Sequence, residues 1–413
     1  MKPLRLAAVL CCSAACADAT SSPRPEAGVS PAAQWSGGTV QVHSAAFSGQ
    51  ALLSLYAAGA PVAVTRFDDT TLSVRLPVVP TGDLVISRHQ SGRDTVVVVH
   101  VAGLVSYREV PGDLGYEPLV PEGPPGVRFV GQDGQAGLTI LDPATDQVTT
   151  IPGLLPVQLS FGLVPTYQEN RYVLQDSTGL LSIWQLFPAA QFIDTALIRS
   201  PGPRHVTQLN DSTWLSLYSN ALLTTLPSGS HFSGPGLVSD PLRVVFSPDG
   251  SRVALVMASA PGSRAPVLDG ATGDTAFTFH AHEPTGAAFS RATGRLYVTA
   301  GFSFADDTLL ALRGSDGAVL AQAAVPTGYN GYGLAVDPRL DRVYQVAESS
   351  GTRALFVYDG ATLALLGQAT ASSVATGLDY SWSAGIGVDT LTHRIHVAFP
   401  GSPIPVISYD RLP

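Results

Sequence analysis

The stretch FHAHEP at 279–284 holds the densest set of potential metal ligands in the chain, with His280 and His282 two residues apart and Glu283 beside them. Two imidazoles and a carboxylate could hold a divalent ion if a further protein ligand reached them. No such ligand is visible at any ordinary spacing. Off a turn the two histidines need not face the same way, so a hydrogen-bonding or surface role is the expectation, and metal the alternative. The FADD stretch at 304–307 places Asp306 and Asp307 in what reads as a solvated loop. No G-x-S-x-G elbow, H-E-x-x-H or EF-hand loop occurs, and GQDGQAG at 131–137 does not match a dinucleotide fingerprint. A Ser/His/Asp set converging from distant segments stays open. No cofactor is implied, and the sequence points away from an enzyme without settling it.

Composition narrows the chemistry further. Lys2 is the only lysine, and Cys11, Cys12 and Cys16 are the only cysteines. The body therefore has no P-loop lysine, Schiff base, thiol nucleophile or internal disulfide. A net charge of −9 disfavours a nucleic-acid partner. With 45% hydrophobic residues, 41 Gly and 32 Pro, the chain reads as short apolar runs broken by turns, which is an all-β pattern.

Residues 1–16, MKPLRLAAVLCCSAAC, have a basic start, an apolar stretch and small residues at the end, the build of a secretory signal. Ser13-Ala14-Ala15-Cys16 resembles a bacterial lipobox with Ser13 in an aliphatic position. The resemblance implies lipidation at Cys16 and a lipid-anchored envelope protein, with membrane contact through that anchor alone. Cleavage after Ala17 and free secretion are the alternative. Residues 17–28 read as a flexible linker.

From 29 to 102, strand-like pieces alternate with turn clusters, as in a small antiparallel sandwich. The order SGGTVQV, AVTRFDDTTLSVRLP, TGDLVISR resembles an IPT/TIG domain, an immunoglobulin-like module, which implies a spacer or contact surface. His43, His89 and His100 are expected to be packing or surface residues.

Beyond 103 the chain repeats itself. VVFSPDGSRVALV at 244–256 is echoed by AAFSRATGRLYVT, LAVDPRLDRVYQV and IGVDTLTHRIHVA. Arg252, Arg295, Arg342 and Arg394 each stand six residues after Phe246, Phe289, Val336 and Val388. LDGATGD, LRGSDGA and YDGATLA follow in three copies, and LDPATDQ at 141–147 is a cousin. Four strands in about 45 residues is the content of a propeller blade. LYVTAG at 296–301, DGATG at 269–273 and VPTGYNGYGLAVDP at 325–338 resemble the YVTN-type β-propellers.

Seven blades are expected near 115–153, 154–200, 201–240, 241–283, 284–327, 328–375 and 376–413. The last runs one strand short, and LVSYREV at 104–110 could supply it. The repeated arginines are expected to bond turn carbonyls, and the Asp-Gly pairs to supply positive φ. Function is expected where blades differ, on the rim connections that carry Arg204, His205, Arg243, His282, Glu283, Tyr329, Asn330, Tyr332, Asp379, Tyr380 and Trp382.

The expected architecture is thus an N-terminal immunoglobulin-like sandwich (29–102) followed by a seven-bladed β-propeller (103–413). The leading reading is a monomeric, non-catalytic envelope protein that binds a protein, peptide, glycan or small molecule. A lactonase-like or metal-dependent propeller hydrolase is one alternative, and a surface-layer or adhesion component another.

Overall fold

The computed structural model describes residues 27–411 except 32, 49–53, 78, 80, 90–94, 103–105, 115–119, 121–125, 134–136, 153–162, 169, 176–179, 188–190, 200–204, 212, 218–221, 226–229, 234–240, 258–263, 281–283, 301–306, 327–328, 350–351 and 371–384. The signal-like segment, Cys16 and the linker before residue 27 lie outside the described residues.

The N-terminal part is two sheets around one core. One sheet contains Gly28–Ser30, Thr39–His43, Val64–Arg66 and Thr71–Arg75, and the other contains Ala33–Trp35, Tyr56–Ala57, Ala60–Pro61, Gly82–Ser87 and Thr95–Ala102. Alternation along TVVVVHVA decides the facing: Val97, Val99 and Val101 are buried while Val98 is exposed. Val40, Val42, Leu72, Val74, Leu84 and Ile86 meet them from the neighbouring strands and the opposite sheet.

Seven further sheets follow, one within each expected blade, and we number them 1 to 7 in chain order. Blades 2 to 6 have four antiparallel strands each, and three strands (129–152) are described in blade 1. Blade 7 consists of Gly385–Val388, Ile395–Ala398 and Ile404–Tyr409, and its fourth strand is Ser106–Val110. The early segment therefore does complete the last blade, in the register Ser106↔Ser408 to Val110↔Ile404.

Every blade packs on its neighbours, so the ring closes. Separate apolar clusters join blades 1 and 2, blades 2 to 4, blades 4 and 5, blades 5 and 6, blades 6 and 7, and blades 7 and 1. This explains why second strands such as RLYVTA are apolar throughout: sheets cover both of their faces, and Leu296 to Ala300 are all buried. The outer strand VLAQAA, covered on one side at most, alternates instead.

The cluster at blades 6 and 7 also takes in the sandwich. Trp35 is wholly buried with its ring 5.1 Å from that of Tyr409, and its Nε1–H donates to the Asp410 carbonyl at 2.6 Å. Truncating a tryptophan buried this fully usually costs about 3–5 kcal/mol. The expected spacer domain is thus docked on the ring.

The Asp-Gly turns differ in one respect from the sequence expectation. Gly250 does take positive φ (69°), but in DGATG it is Gly273 (77°) and not Gly270 that does so. At that second position blade 1 has Asp146 and blade 6 has Leu363, both also left-handed. Gly270 is required for a different reason: a Cβ there would lie 1.9 Å from the Gly250 carbonyl oxygen. Gly314 meets Gly294 in the same way in blade 5. The two turns of a blade stack backbone against backbone, and Gly270 N–H donates to Ser251 O across the stack.

Gly270→Ala is therefore expected to destabilise the protein by about 2–3 kcal/mol. Gly273→Asn should stay within about 1 kcal/mol of the parent, because Asn tolerates the left-handed region. Urea denaturation of both variants checks this, and equal losses would contradict it.

Candidate functional site

Antiparallel order gives the ring two unlike faces. Within blades, the first-to-second and third-to-fourth strand turns fall on one face, and they span only four to six residues from 143–146 to 389–394. The second-to-third turns and the links between blades fall on the other. These run from two residues (350–351) to fourteen (371–384).

On the uniform face the repeated charges pair with one another. Arg252 Nη1 lies 2.9 Å from Asp269, Arg342 Nη1 3.2 Å from Asp359, and Arg128 Nη2 3.0 Å from Asp142. The arginines thus bind carboxylates as well as the expected turn carbonyls. Each aspartate also accepts turn amides, Asp269 from Ala271 and Thr272, and Asp359 from Ala361 and Thr362. Partial burial pulls the Asp269 carboxyl upward, but those amides and Arg252 outweigh it and hold it below the usual carboxylate range.

Blade 5 departs from this pattern because Arg313 stands where its neighbours have Asp. Arg295, directly opposite Arg313, reaches instead into blade 6, with Nη1 2.9 Å from Gly360 O and 3.6 Å from Asp341. Tyr297 donates to the same carbonyl at 2.8 Å. A second link crosses from blade 6 to blade 7, where His393 Nδ1 lies 2.5 Å from the buried Asp337 carboxylate.

Among the described residues, His205, Arg243, Tyr329, Asn330 and Tyr332 lie at this irregular end of the ring. Arg204, His282, Glu283, Asp379, Tyr380 and Trp382 lie outside the described residues. His205, Arg243, Asn330 and Tyr332 are in strands (His205–Gln208, Pro241–Phe246, Asn330–Asp337) rather than in connections. His280 ends the strand Thr275–His280. The side chains of these five lie outside what the structure describes.

Each innermost strand of blades 4, 5 and 6 carries one extra residue at this end, between Pro241 and Arg243, Pro284 and Gly286, and Gly331 and Leu334. Such bulges re-aim the side chains beside them. That recurrence is the signal the sequence reading missed, since Arg243 and Tyr332 sit in or beside it.

Two side chains expected at the surface turn inward. Tyr329 is half-buried with its ring edge-on to Phe356 at 5.3 Å, and burial pushes its phenol above the ordinary range. Asp307 is buried, so the solvated-loop reading fails: Oδ2 accepts Gly331 N–H at 2.8 Å and its carbonyl accepts Val325 N–H at 2.8 Å. Nearby, Gln345 donates to Thr299 Oγ1 across the blade boundary at 3.0 Å and accepts from Tyr358 at 3.2 Å. A Cβ at Gly331 would stand 2.2 Å from Gln345 Nε2 and would displace that amide from its bonds. The two ends of the 325–329 link are therefore held by buried polar bonds.

Among the described residues, no three His, Cys, Asp or Glu side chains gather closely enough to hold a metal ion. No helix there is long and apolar enough to cross a membrane. His43 pairs with Thr71 and His100 with Asp83, both in the sandwich.

No protein-family model matches the chain, and no curated protein does. Solved structures do match. One chain from the crystal structure of a mitotic checkpoint complex is 11% identical with a TM-score of 0.53, over 74% of this chain and 93% of that one. The β-propeller domain of Myceliophteria thermophila Cps50 (Swd1) is 10% identical with a TM-score of 0.49, over 71% and 96%. These neighbours are β-propellers. The first likeness speaks to fold alone, and it agrees with the closed ring described above: the chain is an all-β propeller repeat protein.

The closing blade also buries a histidine, His396. Burial, then the nearby Arg108 guanidinium, drives His396 down to about 4, and its Nδ1 lies 2.7 Å from Ser408 Oγ. The unfolded chain, titrating near 6.5, binds this proton more readily than the folded one. Stability is expected to fall as pH drops from about 6.5 to about 4 and to level off, for this group, below that. His396→Gln should flatten this window in pH-dependent urea melts, and an unchanged slope would contradict the assignment.

Proposed function

We propose that the chain is a non-catalytic binding scaffold of the bacterial cell envelope. Its propeller is read as YVTN-type and its sandwich as an immunoglobulin-like, IPT/TIG-type domain spanning 29–102. Residues 1–16 are read as a lipoprotein signal with Cys16 as the lipid attachment point, secretion being the other route to the same compartment. The partner is a protein, peptide, glycan or small molecule, met by a monomer.

The observation that carries this reading is the division between the two faces. On the turn face, the repeated charges are engaged in ion pairs and amide bonds that serve the blade. Diversity is greater on the other face, where turns and links together run from two to fourteen residues and carry varied aromatic and charged types. A rigid ring presenting unlike loops on one side is an arrangement suited to recognition. Arg243, His205, Asn330 and Tyr332, at strand ends on that face, are the positions proposed to contact the partner, with Arg204, His282, Glu283, Asp379, Tyr380 and Trp382 from the links.

The test compares two variants for capture of an envelope component by the purified protein. Arg243→Ala/Tyr332→Ala/Trp382→Ala is expected to lose at least tenfold in affinity, while Thr272→Ala/Thr362→Ala on the turn face should bind as the parent does. Loss in the turn-face variant alone would overturn the assignment. Stoichiometric metal that disappears in His280→Ala/His282→Ala, with hydrolytic turnover, would replace it by the enzyme reading.

A further inference from the structure

We propose that the N-terminal sandwich is a clasp that keeps the propeller ring shut. The closing strand Ser106–Val110 is the outermost of its blade, pairs along one side only, and is joined to its partner by five register positions. Its contacts are made at very long range: Arg108 Nη1 donates to Ser408 Oγ at 2.7 Å across 300 residues of chain. Short edge strands of this kind fray from a free end, which sets how easily the sheet opens.

Here the N-terminal end is not free. Four residues before it, Ala102 ends the last strand of the sandwich, wholly buried. That strand pairs in parallel with Ala33–Trp35, and Ser36 N–H donates to Ala102 O at 3.0 Å. Trp35, opposite Ala102 in this pairing, is the residue bound to the far end of the chain. Its ring meets Tyr409 and its Nε1–H meets Asp410 O, immediately after the strand that the closing segment must pair with.

One apolar cluster therefore contains Trp35 and Ala102 from the sandwich, Ile407 and Tyr409 from blade 7, and Leu355 and Ala369 from blade 6. Gln368 Nε2 adds a contact to Thr39 O at 3.5 Å. Holding both Ala102 and Tyr409 in one core fixes the entry point of the closing strand beside its partner, so re-pairing after any opening is a local event. At mid-strand Arg108 ties it to blade 1, through Asp146 at 2.5 Å and the Pro143 carbonyl. The sandwich thus acts on one end of the closing strand, and blade 1 on its middle.

Native-state hydrogen exchange on the full chain tests this. Trp35→Ala is expected to speed exchange at 106–110 and 404–408 at least tenfold, while amides of 284–324 in blade 5 change less than twofold. Phe289→Leu, which thins the core between blades 4 and 5, should do the reverse. Parental rates at 106–110 in Trp35→Ala, or an equal rise in all seven sheets, would overturn the clasp. Should Trp35→Ala fail to fold, Trp35→Phe keeps an aromatic ring but removes the bond to Asp410. It should speed exchange at 106–110 at least threefold, and an unchanged rate would overturn the proposal.

Discussion

A ring of sheets must be joined somewhere by two parts of the chain that synthesis places far apart. Here the join is the antiparallel pairing of Ser106–Val110 with Ile404–Tyr409. Without it blade 7 would be one strand short, leaving the amides and carbonyls along Ile404–Tyr409 available to other chains, and the apolar cluster between blades 7 and 1 would lose Val110. The facing of every blade, and so the separation of a uniform from a variable face, depends on that closure. Arg108 reinforces it from three directions, towards Ser408 in its own blade and towards Asp146 and Pro143 in the next.

Charge in this protein is largely a structural material. In a body without lysine, arginine supplies the cations, and its planar fork can bond a carboxylate and a carbonyl together. Arg252 does this with Asp269 and Ser251 O. The departure in blade 5 shows how the arrangement adapts. With Arg313 in the aspartate's place, Arg295 turns to Gly360 and Asp341, converting a bond within a blade into one between blades. His393 and Asp337 make a further bond between blades 6 and 7. The shared turns are thus occupied by their own architecture, and the other face is free to vary.

What the sequence made legible was local. The Phe-to-Arg spacing, the apolar second strands and the closing segment all follow from short-range pattern, so the blade succession and the join could be read directly. Readings failed where a residue's partner lies in another turn or blade. Gly270 looks like a positive-φ residue until the Gly250 carbonyl is seen against it. Asp307 looks solvated until Gly331, from the next blade, is seen bonded to it. Tyr329 resembles a rim tip but packs on Phe356. The bulges that extend the inner strands past Arg243 and Tyr332 have no sequence signature of their own. Trp35 gave no warning either, because its partner Asp410 stands 375 residues away.

The closure can be tested with a covalent link, since no cysteine follows Cys16 and introduced thiols in the body would be unambiguous. Ser106 and Ser408 are register partners, and paired residues of antiparallel strands stand about 4.5–5.5 Å apart at Cα, within disulfide reach. In a Ser106→Cys/Ser408→Cys variant, mild oxidation and peptide mapping should recover one disulfide joining the two positions in the folded monomer. Free thiols at both positions under the same oxidation would show that 106–110 does not lie against 404–408, and the ring as described would be wrong.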